Sequence, residues 1–245
     1  MSQDTTSAPR RVATHRKIGL GTHLIGLLSE LLISAGIFVL LFVVWQLFWT
    51  DVVAGAEMRD EVARFESSTV TTTITSGTTT AASTDVVPDQ AVALVRIPRF
   101  GRDFVAPIYE GTGLPVLSKG VGHYVGTAQP GAIGNFAMAG HRTTYGKPFN
   151  RIAELALGDV IVVETKASYF VYRVTGSDIV DPDHSEVVLP VPEKVGMVAT
   201  KAVLTMTSCH PEFSARQRYI AYGELAATYS RAEGLPATVL APPAK

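Results

Sequence analysis

A long apolar run lies near the beginning of the chain. From Leu31 to Trp49, only Ser34 and Gln46 carry polar side chains. A helix of this length just spans the hydrocarbon core of a bilayer, and Trp45 and Trp49 fall where an aromatic belt would place them. We therefore predict one membrane-anchoring helix over residues 24–49, preceded by a polar N-terminal segment over residues 1–23.

Charged residues on either side of the run predict its orientation. Basic residues precede it and mainly acidic residues follow it: Arg10, Arg11, Arg16 and Lys17 before, Asp51, Glu57, Asp60 and Glu61 after. The positive-inside rule then predicts a cytoplasmic N-terminus and an extracellular remainder. The alternative is a cleaved signal peptide, with Ala54-Gly55-Ala56 as its small-residue cleavage site. The apolar run is too long for a signal peptide, which favours a retained anchor.

Polar residues then dominate as far as residue 90. Residues 67–84 are almost entirely Ser and Thr and cannot bury enough apolar surface to order themselves. We predict an extracellular Ser/Thr-rich linker over residues 50–90, with a short helical continuation at 59–65. The alternative is a β-strand, because Thr favours strands, but the run shows no apolar alternation.

In the remainder of the chain, apolar and polar residues alternate over short stretches, as they do in β-strands. We predict a mainly β domain over residues 91–229, a barrel or sandwich, and a loose C-terminal tail over residues 230–245. Short helices are predicted at 114–119 and 147–157, and a long loop at 181–200. The predicted strands are 92–97, 103–109, 134–141, 159–164, 168–174, 203–209 and 217–228.

Composition narrows the classes of function. The formal net charge of −1, with 18% charged residues, gives no sign of nucleic-acid binding. The chain contains a single cysteine, Cys209, so no disulfide can form within it.

Cys209 lies at the end of a predicted strand. Pro211 cannot donate to a strand ladder, so the strand should end at His210. Strand alternation puts Thr205, Thr207 and Cys209 on one face. If the strand from residue 217 pairs with it, that strand brings Arg216 and Arg218 back beside the thiol.

A thiol acts as a nucleophile in its thiolate form, which needs a cation or a base nearby. Arg218 can supply a permanent charge, and His141 is the best candidate base.

Several alternatives remain open. Cys209 can be a small buried hydrophobe, His210 is a rival base although strand alternation points it to the other face, and Arg216 is the rival arginine. A metal site built from His141, Cys209 and His210 matches no zinc spacing.

Several short motifs occur in a recognisable order. They are Arg96-Ile97-Pro98, Ile108-Tyr109-Glu110-Gly111-Thr112, Gly120 to Tyr124, Gly134 to Arg142, Thr205 to Cys209, and Arg218-Tyr219-Ile220. With the anchor, they make residues 92–228 resemble the sortases, the membrane-anchored cysteine transpeptidases of Gram-positive bacteria. Cys-His-Pro, followed by Ser-Ala-Arg-Gln-Arg, is most similar to class E sortases.

The resemblance implies a closed β barrel of about eight strands with short helices. It also implies catalytic roles for Cys209, His141 and Arg218, and substrate-binding roles for neighbouring residues: Thr205, Thr207, Ser208 and Tyr124. The family commonly reads Thr-Leu-x-Thr-Cys where this chain reads Thr-Met-Thr-Ser-Cys. Met206 keeps the bulk of Leu and Ser208 keeps the hydroxyl, so we expect both changes to tune the groove without affecting the chemistry.

The reaction that the resemblance implies is acyl transfer without metal or cofactor. Cys209 would attack a C-terminal sorting signal of the Leu-Pro-x-Thr-Gly or Leu-Ala-x-Thr-Gly kind on a surface protein. An amine of a peptidoglycan precursor or a pilin would then resolve the thioacyl enzyme. Two other functions remain possible: an L,D-transpeptidase, whose Ser-x-Gly-Cys signature is missing around Cys209, and an anchored binding module without activity.

Overall fold

The computed structural model of this protein describes residues 20–68 and 90–241. The predicted cytoplasmic segment up to residue 19, the linker residues 69–89 and the last four residues of the tail lie outside the described residues. The described chain forms two compact units, which separate between Gln46 and Leu47.

The first unit is the beginning of a single long helix, α1 (Leu20–Ser67). Its segment Leu24–Trp45 is long and apolar enough to cross a membrane, and none of that segment is buried. The length and the composition of this segment agree with the predicted single-pass anchor.

α1 is longer than the sequence predicted, because it continues without a break to Ser67. The continuation belongs to the second unit and has one apolar face, whose members recur every three or four residues and are buried: Ala54, Met58, Val62 and Phe65. Such a stripe is typical of a helix that packs against a folded domain. A helical continuation was predicted only over residues 59–65.

Phe65 lies at the centre of the contact between the end of α1 and the barrel. Its side chain is 2% exposed and packs in a cluster with Leu94 and Tyr109. Lys166 donates from Nζ to the Phe65 carbonyl at 3.0 Å and lies 3.7 Å from the centre of the Phe65 ring. A cation at the C-terminal end of a helix is also favoured by the helix dipole.

We expect Phe65→Ala to lower the free energy of unfolding by about 3–5 kcal/mol, because it leaves a cavity between helix and barrel. Urea unfolding of the wild type and the variant measures the change. Phe213→Ala is the matched control: Phe213 is 85% exposed, and its loss should alter stability by less than about 0.5 kcal/mol. Equal effects of the two substitutions would contradict the prediction.

The second unit is built around a closed barrel, which confirms the predicted fold. Among the described residues the barrel has eight strands, in the order β1-β2-β3-β4-β7-β8-β6-β5, and β5 pairs back to β1. The strands are β1 (Ala93–Arg96), β2 (Val105–Glu110), β3 (Val121–His123), β4 (Gly134–Ala139), β5 (Val160–Glu164), β6 (Ser168–Val180), β7 (Ala202–His210) and β8 (Gln217–Ser230).

The barrel interior is apolar and includes alternate residues of β7. Leu204 and Met206 are fully buried in the core cluster with Phe136 and Met138 of β4. The predicted alternation of β7 is therefore confirmed, and Thr205, Thr207 and Cys209 lie on the other face.

Short helical elements complete the unit. α2 (Leu114–Leu117) falls where a short helix was predicted, and a 3-10 turn at Ser185–Val188 lies within the predicted long loop. The predicted helix over residues 147–157 is wrong, because only a 3-10 turn at Ile152–Glu154 forms. Its first residues bond to the preceding loop instead: the Phe149 N–H donates to the His141 carbonyl at 3.1 Å. Asn150 donates from Nδ2 to the Arg142 carbonyl at 2.9 Å.

Candidate active site

Cys209 is the penultimate residue of β7, half-buried at the strand end. β8 runs antiparallel to β7, and Arg218 is the direct cross-strand partner of Cys209. The predicted pairing of these two strands is therefore confirmed. Directly opposed residues on neighbouring strands have their Cβ atoms about 4.5–5.5 Å apart.

The two candidate arginines lie in different places. Arg218 is half-buried in β8 and donates from Nη1 to the carbonyls of Ala215 (2.9 Å) and Gln217 (3.0 Å). Arg216 is exposed and precedes β8, which begins at Gln217. Only Arg218 is therefore held in register with the thiol.

His141 follows β4, which runs parallel to β7. Ala139 pairs with Thr207, and the Gly140 N–H donates to the Thr207 carbonyl at 3.1 Å. The chain consequently leaves β4 beside the strand end that carries Cys209. A Cβ at Gly140 would lie 2.7 Å from the Phe149 ring, so only glycine lets the chain pass there.

The imidazole of His141 is half-buried. Its Nε2 is buried without a hydrogen-bond partner among the described residues, and its ring centroid lies 5.1 Å from that of Tyr145. Burial lowers the pKa of His141 below its ordinary value of 6.5, because an imidazolium loses hydration there. The ring is therefore neutral near pH 7 and can accept a proton.

We expect acid to destabilise the wild type more than the His141→Gln variant. The lowered pKa of His141 in the folded state means that the unfolded chain binds more protons as the pH falls below about 6.5. Stability linked to this imidazole is present above that pH and is lost as the pH falls through the lowered folded value. Melting temperatures at about pH 7.5 and pH 5 measure the difference. His184→Gln, at an exposed histidine, should behave like the wild type, whereas equal acid sensitivity of wild type and His141→Gln would contradict this.

Arg142 is a buried residue of the site that the sequence did not single out. Its Nη1 donates to the Cys209 carbonyl at 3.2 Å, and its Nε donates to the Asn150 carbonyl at 3.1 Å. One guanidinium thus connects the end of β7 with the segment after β4. The one signal in the sequence was its position directly after His141.

His210, the rival base, lies against the same guanidinium. Its Nδ1 is 3.4 Å from Nη1 of Arg142, which can only donate. The lone pair on Nδ1 is consequently engaged by a permanent cation. This arrangement disfavours His210 as the proton carrier relative to His141.

Of the predicted substrate-binding residues, Thr205 and Thr207 share the face of Cys209, and Ser208 does not. The hydroxyls of Tyr124 and Thr207 are 3.0 Å apart, next to the thiol end of β7. Thr205 is fully buried and donates to the Val187 carbonyl of the long loop at 3.2 Å. Ser208 is buried on the opposite face and donates to the Gly140 carbonyl at 2.8 Å, so it supports the segment leading to His141.

Within residues 20–68 and 90–241, no group of three or more His, Cys, Asp or Glu side chains is arranged to hold a metal ion. His141, Cys209 and His210 are therefore not clustered as the alternative metal site requires. The chemistry that the described arrangement can perform is nucleophilic attack by a thiol, with an imidazole and a guanidinium at the same end of the barrel.

Comparisons with known proteins match most of the barrel. The family model described as the sortase domain matches residues 95–226. Sortase SrtE1 of Streptomyces coelicolor is 37% identical over 235 residues, which cover 93% of this chain and 64% of the relative. This chain therefore spans just under two thirds of the length of that relative.

Solved structures agree in fold. The structure of sortase E from Streptomyces avermitilis is 40% identical with a TM-score of 0.55, covering 61% of this chain and 96% of that one. The crystal structure of sortase E1 from Streptomyces coelicolor, with a tripeptide in its active site, is 39% identical with a TM-score of 0.56 and the same coverage.

Proposed function

The chain belongs to the sortase family, and from that membership we propose that it is a class E cysteine transpeptidase. The observation that supports this most directly is the register of β7 and β8, which opposes Cys209 and Arg218 at the strand end beside His141. The protein cuts a sorting signal near the C-terminus of a surface protein and joins the shortened protein to an amine.

The first step is acylation of the thiol. The Cys209 thiolate attacks a backbone carbonyl of the sorting signal, so that an S–C bond forms and the C–N bond to the next residue breaks. His141, which has taken the proton of the Cys209 thiol, gives it to the leaving amine. Two features support these roles: the position of half-buried Cys209 at a strand end and the unpartnered Nε2 of His141.

The second step is aminolysis of the thioester. The incoming amine attacks the carbonyl, loses a proton to His141 and displaces the Cys209 thiolate. Both steps pass through an oxyanion, which Arg218 stabilises. Only Nη1 of its guanidinium bonds to the described residues, which leaves Nε and Nη2 as donors.

We expect Arg218→Ala to lower kcat by about 10²–10³-fold, because it removes charged donors that act on the transition state. Arg216→Ala, which changes an exposed arginine outside β8, is the matched control and should stay near the wild-type rate. Steady-state transpeptidation by both variants measures the difference. A normal rate in Arg218→Ala with a loss in Arg216→Ala would assign the role to the other arginine.

The substrate is a peptide of the Leu-Pro-x-Thr-Gly or Leu-Ala-x-Thr-Gly kind, bound by Tyr124 and Thr207. The tripeptide in the active site of the Streptomyces coelicolor relative supports a peptide-binding role for the corresponding face of this barrel. The acceptor is an amine of a peptidoglycan precursor or of a pilin.

A single helix anchors the enzyme in the membrane. Its N-terminus lies in the cytoplasm and the barrel lies outside the cell. The apolar segment Leu24–Trp45 supports the anchor. The basic residues before it and the acidic residues after it support the orientation.

Mass spectrometry of the full-length protein in detergent tests this function. The enzyme is incubated with each peptide kind, and a thioester adduct on Cys209 that disappears when an amine is added is the expected result. Cys209→Ala should show no adduct. Failure of every peptide to acylate the wild type would overturn the proposal.

A further inference from the structure

The loop that follows His141 contains a turn with an unusual backbone. Tyr145, Gly146 and Lys147 have consecutive positive φ angles of 52°, 70° and 42°. The left-handed conformation costs roughly 1–2 kcal/mol for a residue that is not glycine. Such a turn persists only where its surroundings hold it in place.

Helix α1 contacts this turn from one side. Asp51 accepts a hydrogen bond at Oδ1 from the Gly146 N–H (3.2 Å), and its Oδ2 lies 3.1 Å from Nζ of Lys147. A Cβ on Gly146 would lie 2.1 Å from Cε of Met58, so the methionine occupies the space beside the glycine. Asp51 and Met58 are seven residues apart, two helical turns, and therefore share one face of α1.

The same turn also contacts the candidate base. The ring centroid of Tyr145 lies 5.1 Å from that of His141. Nε2 of His141 has no hydrogen-bond partner among the described residues. The ring is therefore held in place by packing and not by a hydrogen bond to Nε2. A movement of the turn would consequently reach the imidazole.

We propose that Asp51 and Met58 are positioning residues for His141, acting through the turn at Tyr145–Lys147. The inference rests on the proposed function, in which His141 carries the proton. The helical segment between the candidate membrane span and the barrel is then a part of the active site. A displacement of about 1 Å in a catalytic group is enough to lower a rate by as much as about 10²-fold.

Phe65, near the end of α1, has a different role from Asp51. Phe65 packs on Leu94 and Tyr109, away from the turn, and serves the stability of the unit. Asp51 is bonded to the turn itself. Loss of Asp51 should therefore affect His141 more than it affects unfolding.

The experiment compares Asp51→Ala, Asp51→Glu and Met58→Ala with the wild type in the full-length protein. Asp60→Ala is the matched control, because Asp60 is an exposed aspartate of the same helix. Hydrogen exchange at the Gly146 amide reports on the turn, and modification of His141 by diethyl pyrocarbonate, located by peptide mapping, reports on the imidazole. Acylation kinetics and alkylation of Cys209 by iodoacetamide report on the chemistry.

We expect Asp51→Ala to speed exchange at Gly146 and modification of His141 by about tenfold, and to lower kcat for acylation by about 10–10²-fold with KM unchanged. Met58→Ala should act in the same direction, and Asp51→Glu should keep most of the wild-type rate because it keeps the carboxylate. The alkylation rate of Cys209 should fall in parallel, because His141 is the base that serves the thiol.

Unchanged exchange and unchanged His141 modification in both Asp51→Ala and Met58→Ala would overturn the inference. A loss of kcat that is matched by Asp60→Ala, or that merely follows a fall in melting temperature, would also overturn it. If the wild type forms no acyl-enzyme, the proposed function fails by itself, and the exchange and modification experiments still decide whether α1 positions His141.

Discussion

Replacing Cys209 with alanine is expected to abolish acyl transfer, with a fall in turnover of at least about 10³-fold. The chain has no second cysteine that could replace the nucleophile. The fold should survive, because the residue is half-buried at a strand end and the substitution removes only one sulfur atom, on the face of β7 that lies away from the core.

Two measurements separate loss of chemistry from loss of structure. Thioester formation is followed by mass spectrometry, and the melting temperature of the variant is compared with that of the wild type. Labelling with iodoacetamide supplies the control, since the variant contains no thiol. Product formation by a folded Cys209→Ala protein would show that a different group is the nucleophile.

His141→Gln is expected to lower kcat for acylation by about 10²–10⁴-fold, the usual contribution of a proton-transferring side chain. Glutamine retains a polar side chain of similar reach but cannot carry a proton between the two steps. Stopped-flow acylation with a reporter peptide measures the effect. His184→Gln, at an exposed histidine of the long loop, should leave the rate unchanged.

The rival histidine is tested in the same assay. His210→Gln should have a smaller effect than His141→Gln, because Nδ1 of His210 already faces the guanidinium of Arg142. A severe loss in His210→Gln with a normal rate in His141→Gln would transfer the role of proton carrier to His210.

The sequence predicted the part of the site that depends on strand alternation and on nearby strands. β7 and β8 are joined by a short connection, so residue parity was enough to bring Arg216 and Arg218 back beside Cys209, whereas the choice of Arg218 came from the resemblance to the sortases. The apolar alternation of Leu204 and Met206 fixed which face of β7 enters the core.

The sequence could not predict contacts made to backbone atoms far away in the chain. Arg142 bonds to the carbonyl of Cys209, 67 residues later, and a carbonyl is present whatever the residue type. The helix predicted at 147–157 failed for a similar reason, since bonds from Phe149 and Asn150 to the His141 segment replace those of a helix. The continuation of α1 required a barrel surface for Met58, Val62 and Phe65 to pack against.

The packed half of α1 determines where a recombinant fragment of this protein should begin. A fragment cut at residue 91 would uncover Leu94 and Tyr109, which Val62 and Phe65 now cover, and would lose the Glu61 carboxylate that accepts the Ala91 N–H at 2.8 Å. Exposed apolar patches of this kind favour aggregation. Expression from about Leu47, where the second compact unit begins, keeps the helix with its barrel and leaves that patch covered.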